Sequence, residues 1–167
     1  MKKIQEVYPK NKGLFMKLIP FTKEILLICK KNKIKPIIYG SFAHFYHTKD
    51  KKMKVNDIDL YIPENSFEKI IKTLKQKKIN YKYLPKWHTL IIKKGKLKVE
   101  IDSVNFWYKK SLKKVDRINF YGIESKIITL SDLEKLYPIA YNQTNDNKRK
   151  ILKKIKHLER FLGRKLK

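Results

Sequence analysis

Acidic side chains are scarce in this chain, yet four of the fifteen fall in two short runs where they alternate with apolar residues. One run is Asp57-Ile58-Asp59-Leu60-Tyr61-Ile62 and the other is Val99-Glu100-Ile101-Asp102-Ser103-Val104. In a β-strand, residues i and i+2 project from the same face. Each run therefore reads as a strand with two carboxylates on one side and Ile, Leu or Val on the other. Such a strand needs a core for its apolar face and a remedy for its acidic one. Adjacent carboxylates repel, and burial raises their pKa unless a cation neutralises them. A hard divalent cation such as Mg²⁺ is one remedy, because it takes oxygen ligands and shares them with phosphates. Simpler readings exist for each pair taken alone. Asp57 after Asn56 suits a turn, Asp59 suits a solvent-facing strand position, and Lys96 and Lys98 offer Glu100 ordinary ion-pair partners.

The rest of the chain supplies the elements around these strands. Leu14, Leu18, Phe21, Ile25 and Ile28 recur at helical spacing and predict a helix to Lys31, with Pro20 either kinking or restarting it. Pro36–Tyr39 is a short strand leading into Gly40-Ser41, and Phe42–Tyr46 a short helix. Thr48–Asn56 is a lysine-rich loop, and Pro63 ends the strand that begins at Asp57. Asn65 or Ser66 is positioned to cap a helix reaching about Lys77, with Phe67, Ile70, Ile71 and Leu74 on one face. Ile79–Leu84, Thr89–Lys93 and Leu97–Val104 predict strands, the last two joined by a hairpin at Lys94-Gly95. Arg117–Tyr121 and Lys126–Thr129 are shorter strand candidates. Ser131 with Glu134 has the capping-box pattern for a helix to about Tyr141. Asn142–Asn147 reads as a linker, and Lys148–Leu162 as a basic amphipathic helix stopped by Gly163. The fold class is α+β: a mixed twisted sheet with helices on one face, carboxylates at strand ends on the other, and a C-terminal helical tail. Residues 1–130 form the core in this reading, and residues 131–167 the tail packed on it.

Composition narrows the function classes. Apolar residues make up 42% of 167, enough for a packed interior. No run approaches the roughly 20 apolar residues of a membrane-spanning helix. Lys2 and Lys3 are followed by polar residues, so no secretory leader is expected. Cys29 is the single cysteine, which excludes an internal disulfide and any multi-cysteine zinc site. A cytoplasmic protein is the expectation. The net charge is +27. A surface this basic attracts polyanions, and RNA is a candidate partner on that ground. Yet all but four of the 42 basic residues are lysines, the exceptions being Arg117, Arg149, Arg160 and Arg164. Lysine enrichment of that kind also follows from AT-rich coding, whatever the function, and phosphate readers favour the arginine fork.

Gly40-Ser41 follows one strand and opens a helix. Glycine lets a backbone approach a ligand closely, and the unpaired amides of a helix start suit a phosphate. The chain lacks the glycine-rich run and terminal Lys-Ser or Lys-Thr of a P-loop. Taken in order, Tyr39-Gly40-Ser41, Asn56-Asp57-Ile58-Asp59-Leu60 and Val99-Glu100-Ile101 resemble the nucleotidyltransferase superfamily, which includes DNA polymerase β, CCA-adding enzymes and antibiotic adenylyltransferases. The resemblance spans roughly Leu14 to Val104, and the later helices suit the tail of small, minimal members. It implies transfer of a nucleoside monophosphate from an NTP, with ATP the first expectation, to an acceptor hydroxyl on a small molecule, an RNA end or a protein. It further implies Gly40, Ser41 and His44 near the nucleotide, and Mg²⁺ (or Mn²⁺) on Asp57, Asp59 and Glu100. Glu100, or else Asp102, would be the third carboxylate, where many relatives carry Asp. The contrasting expectation is a catalytically weak, basic RNA-binding or toxin–antitoxin-type module on the same fold.

Other residues have bland and sharper readings. His44, His47, His88 and His157 lack metal-ligand spacing; His44 and His47, one helical turn apart after the Gly40-Ser41 turn, are within reach of a ligand, but the favoured reading is a partly buried ring and a loop residue. Trp87 and Phe106-Trp107-Tyr108 flank the acidic strands, and one ring there suits stacking on a base or planar acceptor; Tyr46 adds another ring. Cys29 belongs to a buried helix face with Ile25 and Leu26. Lys148–Lys156 is either a phosphate-binding or a solvated face. Tyr141, Asn142 and Lys148 would line a nucleotide pocket if the tail folds over the cleft.

Overall fold

A computed structural model describes residues 7–107, 112, 114–144 and 146–166. Lys2, Lys3, Tyr108 and Asn145 lie outside the described residues. In chain order the elements are α1 (Lys12–Lys31), β1 (Ile37–Tyr39), α2 (Gly40–Thr48), β2 (Ile58–Ile62), α3 (Phe67–Gln76), β3 (Tyr81–Leu84), β4 (Thr89–Lys94), β5 (Leu97–Ser103), α4 (Val104–Trp107), β6 (Val115–Phe120), β7 (Ile123–Ile128), α5 (Leu130–Gln143) and α6 (Lys148–Leu162). The strands form one mixed sheet ordered β3-β4-β5-β2-β1-β7-β6.

The two acidic runs become neighbouring strands. β2 and β5 pair in parallel, with Asp59 opposite Glu100 and Tyr61 opposite Asp102. Strand alternation then separates the faces. Ile58, Leu60, Ile62, Val99 and Ile101 are almost fully buried and share one core with α1, which packs on β5 and whose Phe15, Leu18 and Ile25 are wholly buried. Each such side chain contributes about 1.5–3 kcal/mol of burial. α1 runs through Pro20 without a break. Pro20 and Met16, whose carbonyl loses its hydrogen-bond partner, both sit on the exposed side, where water can satisfy the carbonyl. Cys29 is buried on the core face, and burial pushes its thiol up to about 12. The opposite face of the sheet carries Tyr39, Asp59, Tyr61, Glu100 and Asp102.

Several local expectations shift. β2 starts one residue later than the acidic run, leaving Asp57 in the bend before it. Neither Asn65 nor Ser66 caps α3 through its side chain, because a 3₁₀ turn, Glu64–Ser66, leads into the helix. α5 opens at Thr129, whose hydroxyl accepts from the Asp132 amide at 3.1 Å. The Ser131–Glu134 capping box is therefore not formed, and Glu134 pairs with Arg164 instead. The last two strands are longer than expected and form a hairpin through Tyr121-Gly122, both at positive φ (46° and 96°). That is the geometry of a type I′ turn, and Tyr at its first position gives no sequence cue. Among the described residues, no helix is long and apolar enough to cross a membrane.

Candidate active site

The glycine and the first acidic strand form one steric unit. Gly40 follows β1 at φ +67°, and a β-carbon placed on it would lie 2.7 Å from Asp59 Cγ. Only a residue without a side chain leaves room for that carboxylate and accepts that backbone angle. Ser41, next in α2, is 7% exposed. The first-turn amides of a helix have no intrahelical acceptors, so this turn has donors to offer an anion.

The acidic face divides between two concavities. Asp59, Glu100 and Asp102 line a cavity of about 240 Å³, with Tyr39, Gly40, Tyr61, Thr89 and Trp107 from the core and Tyr137, Gln143 and Lys154 from the tail. The tail residues facing the carboxylates are thus not the expected Tyr141, Asn142 and Lys148; Lys148 lies over the Tyr141 ring instead. Asp57 and Ser41 line a larger cleft of about 1190 Å³, which Lys154 also borders.

Each carboxylate has a distinct environment. Asp102 is 4% exposed and accepts from the Tyr39 and Thr89 hydroxyls. Burial and the Glu100 charge push it up to about 7, against the opposing pull of those two donors. The Tyr39 phenol is pushed well above its usual range by burial and by Asp102, and its ring stacks on Tyr61 at 3.7 Å. Asp59 is raised by burial and then by Asp57, while Lys154 pulls the other way. Lys154 is in turn lowered by burial, against the attraction of Asp59. Lys98 Nζ bridges Asp57 Oδ2 at 2.8 Å and Glu100 Oε2 at 2.9 Å. Burial alone would lower this ammonium; the two carboxylates outweigh it and hold it above its ordinary range.

The donor set suits a hard cation: all four groups are carboxylates, and a cation, the Lys98 ammonium, already bridges two of them. The expected convergence on one point is incomplete. Among the described residues, no three acidic, histidine or cysteine side chains form a ready metal cluster. Asp57 and Glu100 are turned to Lys98, and Asp102 to its two hydroxyls. The sheet places Asp57, Asp59 and Glu100 as neighbours, and a metal there would displace Lys98. Lys98 beside Glu100 is the ordinary ion pair the sequence also suggested.

His44 lies close to Ser41 but is wholly buried. Its Nδ1 meets the Tyr137 hydroxyl at 3.0 Å and its Nε2 meets His157 Nδ1 at 2.9 Å. His157 Nε2 contacts Asp50 Oδ2 at 2.6 Å. With neutral rings the chain has one consistent direction: Tyr137 donates to His44, His44 to His157, and His157 to Asp50. Burial, then the His157 and Lys154 charges, push His44 down to about 3. Both ring nitrogens are thus engaged in fastening α2 to α5 and α6. His47 contacts the Ile128 carbonyl at 2.8 Å, and His88 contacts Glu64. Sequence reading missed Tyr137 and Asp50, and saw His157 only as a histidine without metal-ligand spacing and Lys154 only as part of a basic helix face, because their pairings span long separations and leave no local pattern. Trp107 reaches the cavity wall, stacks with Trp87 at 6.1 Å and donates to the Trp87 carbonyl.

No family model and no curated protein sequence matches the chain. Solved structures do. The antibiotic-resistance factor ANT(2'')-Ia is 12% identical with a TM-score of 0.64, covering 89% of this chain and 85% of that one. The lincosamide antibiotic adenylyltransferase LnuA, bound to lincomycin, is 13% identical with a TM-score of 0.53, covering 82% of this chain and 95% of that one. The Megavirus polyadenylate synthase is 16% identical with a TM-score of 0.55, covering 86% of this chain and 32% of that one. With the Gly-Ser turn, the acidic strand pair and this common architecture together, the chain has the nucleotidyltransferase fold.

Proposed function

We propose that the protein is a metal-dependent nucleotidyltransferase, working in the cytoplasm, that moves a nucleoside monophosphate from an NTP, ATP first, to an acceptor hydroxyl. The observation that carries this reading is the register of Asp59 against Glu100 on parallel neighbours, beside a glycine whose missing side chain makes room for Asp59. Asp57, Asp59 and Glu100 would hold Mg²⁺, with Mn²⁺ as a substitute. Bound there, the ion would neutralise phosphate charge and so stabilise the transition state electrostatically. Gly40 and Ser41 orient the triphosphate with backbone amides and a hydroxyl. Glu100 accepts the proton of the acceptor hydroxyl as its oxygen bonds to the α-phosphorus and pyrophosphate leaves. Asp102, anchored by Tyr39 and Thr89, holds β5 in place beside Glu100. Tyr39, Tyr61, Trp107 and Tyr137 form apolar walls that restrict water around the reacting groups.

One observation favours the contrasting reading of a basic module with little catalysis: Lys98 already neutralises Asp57 and Glu100. Incubation with labelled NTPs, Mg²⁺ and panels of hydroxyl acceptors separates the two. Transfer by the wild type that disappears in Asp57→Ala and Asp59→Ala supports the enzyme. RNA binding unchanged in those variants, with no transfer by the wild type to any acceptor, supports the module.

A further inference from the structure

The larger cleft is more basic than the chain's composition accounts for. More than half of the residues lining it are Lys or Arg, against a quarter of the whole chain. Two of the four arginines, Arg160 and Arg164, are among them. One wall is α6, where Lys150, Lys153, His157 and Arg160 recur at three- and four-residue spacing and so share a face. The other wall carries Lys52 and Lys54 from the segment between α2 and β2. Lys52, Lys54, Lys150, Lys153 and Arg160 are all exposed.

Length identifies the kind of anion. From Lys150 to Arg160 the helix rises about 15 Å, which outruns a nucleotide's triphosphate and suits successive phosphates along a nucleic acid strand. Ser41 and Asp57 lie in the same cleft, and Asp57 shares the Lys98 ammonium with Glu100 of the adjoining cavity, so a strand on α6 ends beside the reacting groups. We propose that this cleft binds the phosphate backbone of a single nucleic acid strand and that the strand's terminal hydroxyl is the acceptor. This assignment rests on the nucleotidyltransferase reading and names its substrate class. The chemistry is a terminal ribose or deoxyribose oxygen attacking the α-phosphorus of the NTP. One O–P bond forms, the bond to pyrophosphate breaks, and the hydroxyl proton passes to Glu100.

The test uses the full chain and fluorescent single-stranded oligonucleotides, one RNA and one DNA, read by anisotropy across a salt series. Lys150→Glu/Lys153→Glu/Arg160→Glu is compared with Lys69→Glu/Lys72→Glu/Lys75→Glu on the exposed side of α3, which makes the same change in net charge far from the cleft. The cleft variant should bind at least about tenfold more weakly and lose roughly two units of salt slope, about 0.7 per phosphate contact on a single strand. The α3 variant should stay within about threefold. The neutral triple Lys150→Gln/Lys153→Gln/Arg160→Gln repeats the measurement if the acidic one fails to fold. Equal losses in the cleft and α3 variants would mean that bulk charge alone attracts the strand, and that overturns the assignment. So does wild-type transfer to small hydroxyl compounds but to neither oligonucleotide, an outcome that leaves the nucleotidyltransferase reading standing. Transfer that persists in Asp57→Ala and Asp59→Ala strikes that reading instead. Extension of only the RNA or only the DNA identifies the source of the strand and supports the proposal.

Discussion

The cavity and the cleft share Lys154 and take Asp59 and Asp57, respectively, from one short stretch of chain, yet their chemistry is opposite. The cavity is small, walled by Tyr and Trp rings, and holds Asp59, Glu100 and Asp102. The cleft is about five times larger and mostly lined by lysine and arginine. The difference teaches that the net charge of +27 is not spread evenly around the active centre. Under the proposed function, negative groups are concentrated where a cation and a reacting hydroxyl would sit, and positive ones where phosphates would approach.

The comparison breaks most sharply at Asp59. Asp59→Ala should lower transfer by about a hundred- to a thousandfold, the scale of losing one preorganised transition-state contact, in a labelled-NTP assay, while polynucleotide affinity in the cleft stays within about twofold. Gly40→Ala comes next. A side chain there meets Asp59 and takes an unfavourable φ, costing about 1–2 kcal/mol from the backbone alone. Thermal melts should show the loss, and calorimetry with Mg²⁺ should show weakened metal binding. Lys98→Met should raise Mg²⁺ affinity about fivefold, because a partly exposed ion pair worth about 1 kcal/mol no longer competes. The same variant should melt lower than wild type without metal, since Asp57 and Glu100 then face each other unneutralised.

The last effect concerns the link between the two regions. His44 has a folded pKa near 3, below its unfolded value of about 6.5. The unfolded chain therefore takes up the proton first, so this contribution to stability is complete above about pH 6.5 and declines as pH falls towards about 3. Melting temperature should drop across that window, and His44→Gln should flatten the slope. An unchanged slope would mean that another group governs the acid response.

The sheet and its acidic pairs were legible in the sequence because period-two alternation fixes side-chain direction without reference to anything distant. The Gly40 turn, the hairpin after β4 and the span of α6 were legible for similarly local reasons. What stayed hidden depends on partners far along the chain. Ser131 and Glu134 have the spacing of a cap, but Thr129 takes that role and Glu134 turns to Arg164. His44 beside the Gly40-Ser41 turn reads as either a ligand contact or a partly buried ring, and only His157, more than a hundred residues later, decides between them by occupying its second nitrogen. Lys98 reads as a surface lysine until the strand pairing brings Asp57 within its reach.

The contact between Gly40 and Asp59 has a consequence for how such chains can diverge. No acidic amino acid is shorter than aspartate, so a larger residue at 40 cannot be accommodated by trimming its neighbour without erasing the negative group. Position 59 can lose its acid while glycine stays, but position 40 can gain a side chain only where the acid has gone. A homologue that retains acid at 59 should therefore show nothing bulkier than hydrogen at 40, whatever happens to the remaining hundred-odd positions.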